Sequence, residues 1–469
     1  MLPMSRPRKE NWDERIHELV SVYEAEGLAV FLDPESFQDL IDYYESEEQF
    51  EKALSVARLA TTHYRFSSDF YVRQVQLLLY TNRSDQAQEI LEEALAITPG
   101  DFELSLLQAE TYIRSGQTKE GLASLAPFKL QASKEDLSEI LLVESLAYER
   151  DSDFDHMFYA LKAALQASPT NDRALERISL CMEICRKHEE GSTLFRWIID
   201  ESPYSQYAWF YLGQAQAYLN HSEEAIEAYE YAFLIDPTFE EAFLEFAELC
   251  YENGHFSKAL DAYREMAERF GSDSDLLLCI GGCYHSLEKY ETARHHLEQA
   301  ARIDPHNDEI FFKIGECYAA QEKWAKAMSF FKKAIRMHDH CEEYHQALAE
   351  CAFELDDYKQ AEASYAEALE IAPENSQVWL DMAWFLLEML RSREALDLLE
   401  EANETIEDPE LQFSYVACLF ANGRRKQALQ LLSEALADNY AGFSWLFEWQ
   451  PGLRSDNEVN ALISLYRPA

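Results

Sequence analysis

Basic residues are scarce in this chain. Forty Lys and Arg stand against 87 Asp and Glu, a formal charge of −47 at pH 7. A surface of that sign repels nucleic acid and anionic membrane and draws basic partners, although much of the excess belongs to the ordinary solvated faces of helices. Long apolar runs are missing too. None approaches the ~18 residues of a membrane span, and the opening MLPMSRPRKENWDER lacks the apolar core of a signal peptide, so the cytoplasm is the expected compartment. Gly-, Ser- or Pro-rich linkers and low-complexity tracts are absent. Cysteine is sparse: nine residues, an odd number, all at or beyond Cys181, with no disulfide-like framework. The chain also lacks a phosphate-cradling Gly-rich loop with its Lys, a G-x-S-x-G elbow and an H-E-x-x-H pair.

What is present is a period. Trp209, Leu212, Gly213, Ala225, Tyr229, Ala232 and Pro237 recur in register as Phe243, Phe246, Ala247, Ala259 and Tyr263. The next copy reads Leu277, Ile280, Gly281, Ala293, Leu297, Ala300 and Pro305, and then come Phe311, Ile314, Gly315, Ala327, Phe331 and Ala334. Bulky positions fill the space between helices, while the small ones allow close helix approach. Proline after the second helix stops it. This pattern resembles the tetratricopeptide repeat, a helix–turn–helix unit of about 34 residues. The resemblance implies an all-α, right-handed α-α superhelix, a solenoid in which each repeat is stabilised by its neighbours.

In that register the small residue of the second helix falls at Ala53, Ala87, Gly121, Met157, Gly191, Ala225 and onward to Ala428. About twelve repeats are expected over residues 34–442. Two residues are gained near 122–136, where Pro127 should shorten a second helix, and one is lost near 403–410. Residues 1–33 read as an N-terminal arm and capping helix, with Ile16, Leu19, Val20 and Tyr23 on one side. Residues 443–469 read as C-terminal capping helices carrying Trp445, Leu446, Trp449, Leu462 and Leu465. Caps are expected because a bare terminal repeat exposes apolar surface. The two ends are also similar to those of stand-alone Bacteroidota-type repeat proteins, a likeness that implies no defined activity.

Several constellations have a plainer reading beside the chemical one. Cys181, Cys283, Cys317, Cys351 and Cys418 share one repeat position and read as core filler. Cys181/Cys185 and Cys279/Cys283 lack the two further ligands that zinc needs. His338, His340, Cys341 and His345 gather at one turn, which reads as solvated. Asp151, Asp153 and Asp155 imitate the start of a calcium loop, but His156 and Lys162 stand where Gly and Glu belong. No metal or cofactor is expected.

The resemblance places first helices on a concave inner surface, with the fifth, ninth and twelfth positions facing inward. Those positions supply Phe210, Gln214, Glu248, Tyr251, Phe312, Glu316, Glu350, Phe353 and Trp384 as candidate partner contacts. Aromatic anchors among carboxylates suit a protein or peptide carrying Lys or Arg between apolar residues. No repeat combines Lys and Asn at the fifth and ninth positions, the pair with which one branch of the family clamps a terminal carboxylate. The expected function is a non-catalytic interaction scaffold. A regulatory module sensing a peptide or small ligand is the alternative, and a surface-site enzyme a more distant one.

Overall fold

The computed structural model describes residues 10–27 and 30–467. Among them the regular structure is entirely helical, and from Pro34 to Asp438 the helices come in twelve pairs. The first pair is Pro34–Ser46 with Phe50–His63, and the last is Pro409–Ala421 with Arg425–Asp438. Second helices begin 34 residues apart, except for 36 between Thr118 and Phe154 and 33 between Ser392 and Arg425. Thr118–Lys129 contains Pro127 and is two residues shorter than the usual 14. The missing amide and the ring of proline disfavour continuation at that point.

Each pair is closed by the same turn. The amide one residue past the left-handed position bonds back to the first helix, as in Arg83 N to Leu78 O at 2.8 Å and Lys323 N to Tyr318 O at 3.0 Å, a Schellman closure. The left-handed residue is Gly only at 116, 254 and 423; elsewhere it is a residue with a Cβ, including Asn82, Asn220 and Leu390. Close approach explains the small positions. A Cβ on Gly213 would lie 2.6 Å from the Tyr229 ring, and one on Gly281 2.7 Å from Leu297. Ala53, Ala87, Ala225, Ala293, Ala327 and Ala428 are fully buried.

By packing, the chain divides at Ala242 and Phe243 into two compact halves. In the N-terminal half, helix Glu10–Glu26 lays Ile16, Leu19, Val20 and Tyr23 on a core that includes Phe37, Leu40 and Tyr44. In the C-terminal half, helix Phe443–Trp449 and helix Asn457–Leu465 add Leu446, Val459 and Ile463 to the core around Phe413 and Leu432. Arg425 grips Asp456, the N-cap of the final helix, with two bonds of 2.8 Å. Leu465, expected among the contacts, is 75% exposed because it lies on the outer side of that helix.

Candidate partner-binding face

First helices of consecutive repeats lie against one another at most joints within each half, as from Ser274–Ser286 through Pro409–Ala421, so the side chains they turn outward share a face. Helical periodicity decides which these are. On Gln206–Tyr218, residues Ala208, Phe210, Leu212, Gly213, Ala215 and Gln216 are buried, whereas Tyr207, Tyr211, Gln214 and Tyr218 are at least partly open. The open stripe is therefore the second, sixth, ninth and thirteenth positions.

This corrects two of the candidates. Phe210 and Phe312 are buried, 4% and 7% exposed. The Phe312 ring lies 4.6 Å from Tyr344 of the next repeat and 5.4 Å from Phe331 of its own. Phe210 lies 4.8 Å from Phe239 and 5.6 Å from Tyr229. The fifth position fills the space between repeats, where an aromatic ring gains more from burial than from exposure.

The other candidates reach the face to different degrees. Gln214 is half-buried and accepts a bond from the Ser179 hydroxyl at 3.1 Å. In the C-terminal half, Glu248 and Glu350 are open, and Tyr251 places its hydroxyl 3.2 Å from that of Ser286. Glu316 pairs with Lys313 at 2.9 Å. Phe353 is half-buried, edge-on to Phe385 at 6.0 Å. Trp384 is 46% exposed and meets Trp449 edge-on at 5.4 Å.

Asp381 belongs to the same group and was missed because it occupies the sixth position. It accepts bonds of 2.8 Å from both Gln346 and Gln377. The signal was legible: Gln377, Asp381, Trp384 and Glu388 follow the 3–4 residue spacing of one helix face. Loss of water pushes the Glu350 carboxyl above its usual range, and Asp381 and Glu354 push it further. Asp381 is raised by the same loss of water, against the two glutamine bonds. Glu248 is raised by burial and by Glu252. Among the described residues, none of these three carboxylates has a Lys or Arg ion-pair partner.

On the corresponding face of the N-terminal half most carboxylates are answered by arginine, Glu103 being an exception among the described residues. Arg73 pairs with Asp42 and with Glu45, the latter at 2.7 Å. Arg114 pairs with Glu110 at 2.7 Å and Arg177 with Glu149 at 2.6 Å. The His338–His345 turn disperses its groups: His338 faces Asp308 at 3.5 Å, His340 faces Asp339 at 3.7 Å, and His345 meets the Asp339 carbonyl at 3.2 Å. Asp153 caps the helix Phe154–Ala167, and Asp155 pairs with Lys187 at 2.7 Å. Cys181, Cys283, Cys317, Cys351 and Cys418 are buried, and burial pushes each thiol up to about 12.

Family models described as tetratricopeptide repeat match residues 68–101, 206–239, 244–308, 284–351 and 352–412, together more than half of the chain. The chain belongs to the tetratricopeptide repeat (TPR) family. An array of TPR units is a protein-interaction scaffold. A curated relative, Protein bimA of Emericella nidulans, is 24% identical over 140 residues, 30% of this chain and 17% of that protein's length. Three solved structures are among those similar to this chain. A TPR protein from Parabacteroides merdae has 13% identity over 53% of this chain and 98% of its own, with a TM-score of 0.40. YrrB, described as a TPR protein with an unusual peptide-binding site, has 17% identity over 39% and 95%, with a TM-score of 0.32. The Cut9–Hcn1 hetero-tetramer of the APC/C has 13% identity over 96% and 99%, with a TM-score of 0.36. No helix among the described residues is long and apolar enough to cross a membrane.

Proposed function

We propose that this TPR protein is a non-catalytic scaffold that binds a basic segment of a protein partner on the first-helix face of its C-terminal half. The observation that carries this reading is the set Glu248, Glu350 and Asp381: carboxylates held partly out of water, with raised proton affinity and no cation beside them. A lysine or arginine from a partner supplies that cation. Phe353 and Trp384 offer aromatic surface for the apolar residues between the basic ones. The cytoplasm suits a chain with nine free thiols.

The sign of the pH dependence follows. A cation favours the ionised carboxylates, so binding releases protons, and affinity falls as pH drops through the raised values. In the free protein the same shift acts oppositely. A carboxyl raised above its unfolded value contributes stability that is full below the unfolded value and is lost as pH rises through the folded one.

The test begins with affinity capture from the native organism and mass spectrometry, followed by the purified pair. Phe353→Ala or Trp384→Ala should cost about 1–2 kcal/mol of affinity. Glu316→Lys with Glu350→Lys should slow association with little change in melting temperature, and added salt should weaken the charged contribution. Unchanged binding in all these variants would move the site off this face.

A further inference from the structure

The first-helix face of the N-terminal half holds a cleft of about 250 Å³. It lies beside the one joint where the repeat gains two residues, between helix Phe102–Arg114 and the 17-residue helix Lys134–Arg150. Its floor is apolar: Leu106, Leu107 and Val143, with Phe102 at one end. Three carboxylates also line it, the exposed Glu103, the buried Glu110, and Glu139.

The three carboxylates of the cleft are not equivalent. Glu110 is held by Arg114 at 2.7 Å. Glu139 accepts a bond from Asn171 at 2.9 Å and faces Arg173, which also lines the cleft, at 3.5 Å. Glu103 makes no ion pair among the described residues. Its carboxyl is raised by loss of water and by Asp101, Asp69 and Glu139 around it. An apolar floor below an uncompensated carboxylate matches a flexible aliphatic stem that ends in a compact cation. Small-molecule sites commonly span about 300–1,000 Å³, so this smaller volume suits one side chain.

We propose that this cleft receives a single lysine side chain presented by a protein partner. It is an anchor separate from the acidic face of the C-terminal half, and either site can fail while the other stands.

The test uses the full chain with labelled Leu and Val methyl groups, titrated with Nα-acetyl-lysine methylamide and followed by NMR. The methyl signals of Leu106, Leu107 and Val143 should shift saturably, with a dissociation constant of roughly 1–10 mM, the scale of a contribution near 4 kcal/mol or less. The norleucine analogue, which lacks the ammonium, should bind about threefold more weakly or worse. Glu103→Gln, an exposed substitution, should lose about the same factor. Val143→Phe should fill the cleft and remove the shifts; if it disturbs folding by circular dichroism, Glu103→Gln decides alone. Glu350→Gln should leave these shifts unchanged, which separates this site from the proposed C-terminal one. Non-saturating shifts, equal binding of norleucine, or indifference to Glu103→Gln would overturn the proposal. So would a preference for succinate, which would make the cleft an anion site at Arg173.

Discussion

The two halves of this chain are built from one repeat, yet their first-helix faces balance charge differently: arginine pairs predominate in the N-terminal half, with Glu103 the exception, and unpaired carboxylates in the C-terminal half. In the N-terminal half, arginines at the sixth and thirteenth positions answer nearby carboxylates: Arg73 meets Glu45, Arg114 meets Glu110 and Arg177 meets Glu149. In the C-terminal half the same face carries Lys313, paired with Glu316, while Glu248, Glu350 and Asp381 have no such partners among the described residues. A carboxylate paired inside the fold serves the fold. One left only partly wet and unpaired adds nothing to the fold, and a cation from a partner could pair with it. That difference underlies the proposed binding face and needs no change in backbone architecture.

The ends of the halves offer the strongest test of their independence. Leu446, Leu453, Val459 and Ile463 are buried by the C-terminal segment. At about 1.5–3 kcal/mol per buried apolar side chain, deleting residues 443–469 should remove on the order of 6–12 kcal/mol of burial, and the exposed face should aggregate. Deleting residues 1–27 removes one buried side chain among the described residues, Ile16, and should cost less. Calorimetry with light scattering compares the two. Equal losses, or a soluble and equally stable C-terminal truncation, would show that the last segment is a tail rather than a cover.

The charge contrast is testable at single residues. Arg73→Ala strands the 7% exposed Glu45 side chain and should destabilise by about 1–3 kcal/mol, reduced from the fully buried case because Arg73 is partly wet. Glu350→Gln removes no ion pair and should leave thermal stability unchanged or raised by up to about 0.5 kcal/mol. If both substitutions destabilise alike, the C-terminal carboxylate has a structural role and the contrast between the faces fails.

A smaller effect concerns the shared turn. Leu390 holds the left-handed position at φ 59° with its side chain 91% exposed. The steric cost for an L-residue there is about 1 kcal/mol or more, partly offset by glycine's larger unfolded entropy. Leu390→Gly should therefore stabilise by up to about 1 kcal/mol in denaturant titration.

Much of the architecture was legible because the repeat is enforced by sterics at fixed spacing. Gly213 must be small to admit Tyr229, and Ala225 must be small to sit fully buried. The 36- and 33-residue irregularities were visible for the same reason. The candidate face was less legible. Phe210 and Phe312 looked like partner anchors because an aromatic residue near a face reads the same whether it points to solvent or into the next repeat. Asp381 was overlooked because the assumed inward positions left out the sixth.

The sequence by itself determined the helix–turn–helix period, the number of pairs, the interruptions at Pro127 and before Pro409, and the excess of acid. Each follows from local propensity or from close contacts whose spacing repeats along the chain. Only the tertiary structure decided which aromatics close the gaps between repeats and which stay open. It also decided which carboxylates meet an arginine and which meet none. These depend on distances between side chains about one repeat apart, set by how neighbouring helices pack, and no single repeat contains that information.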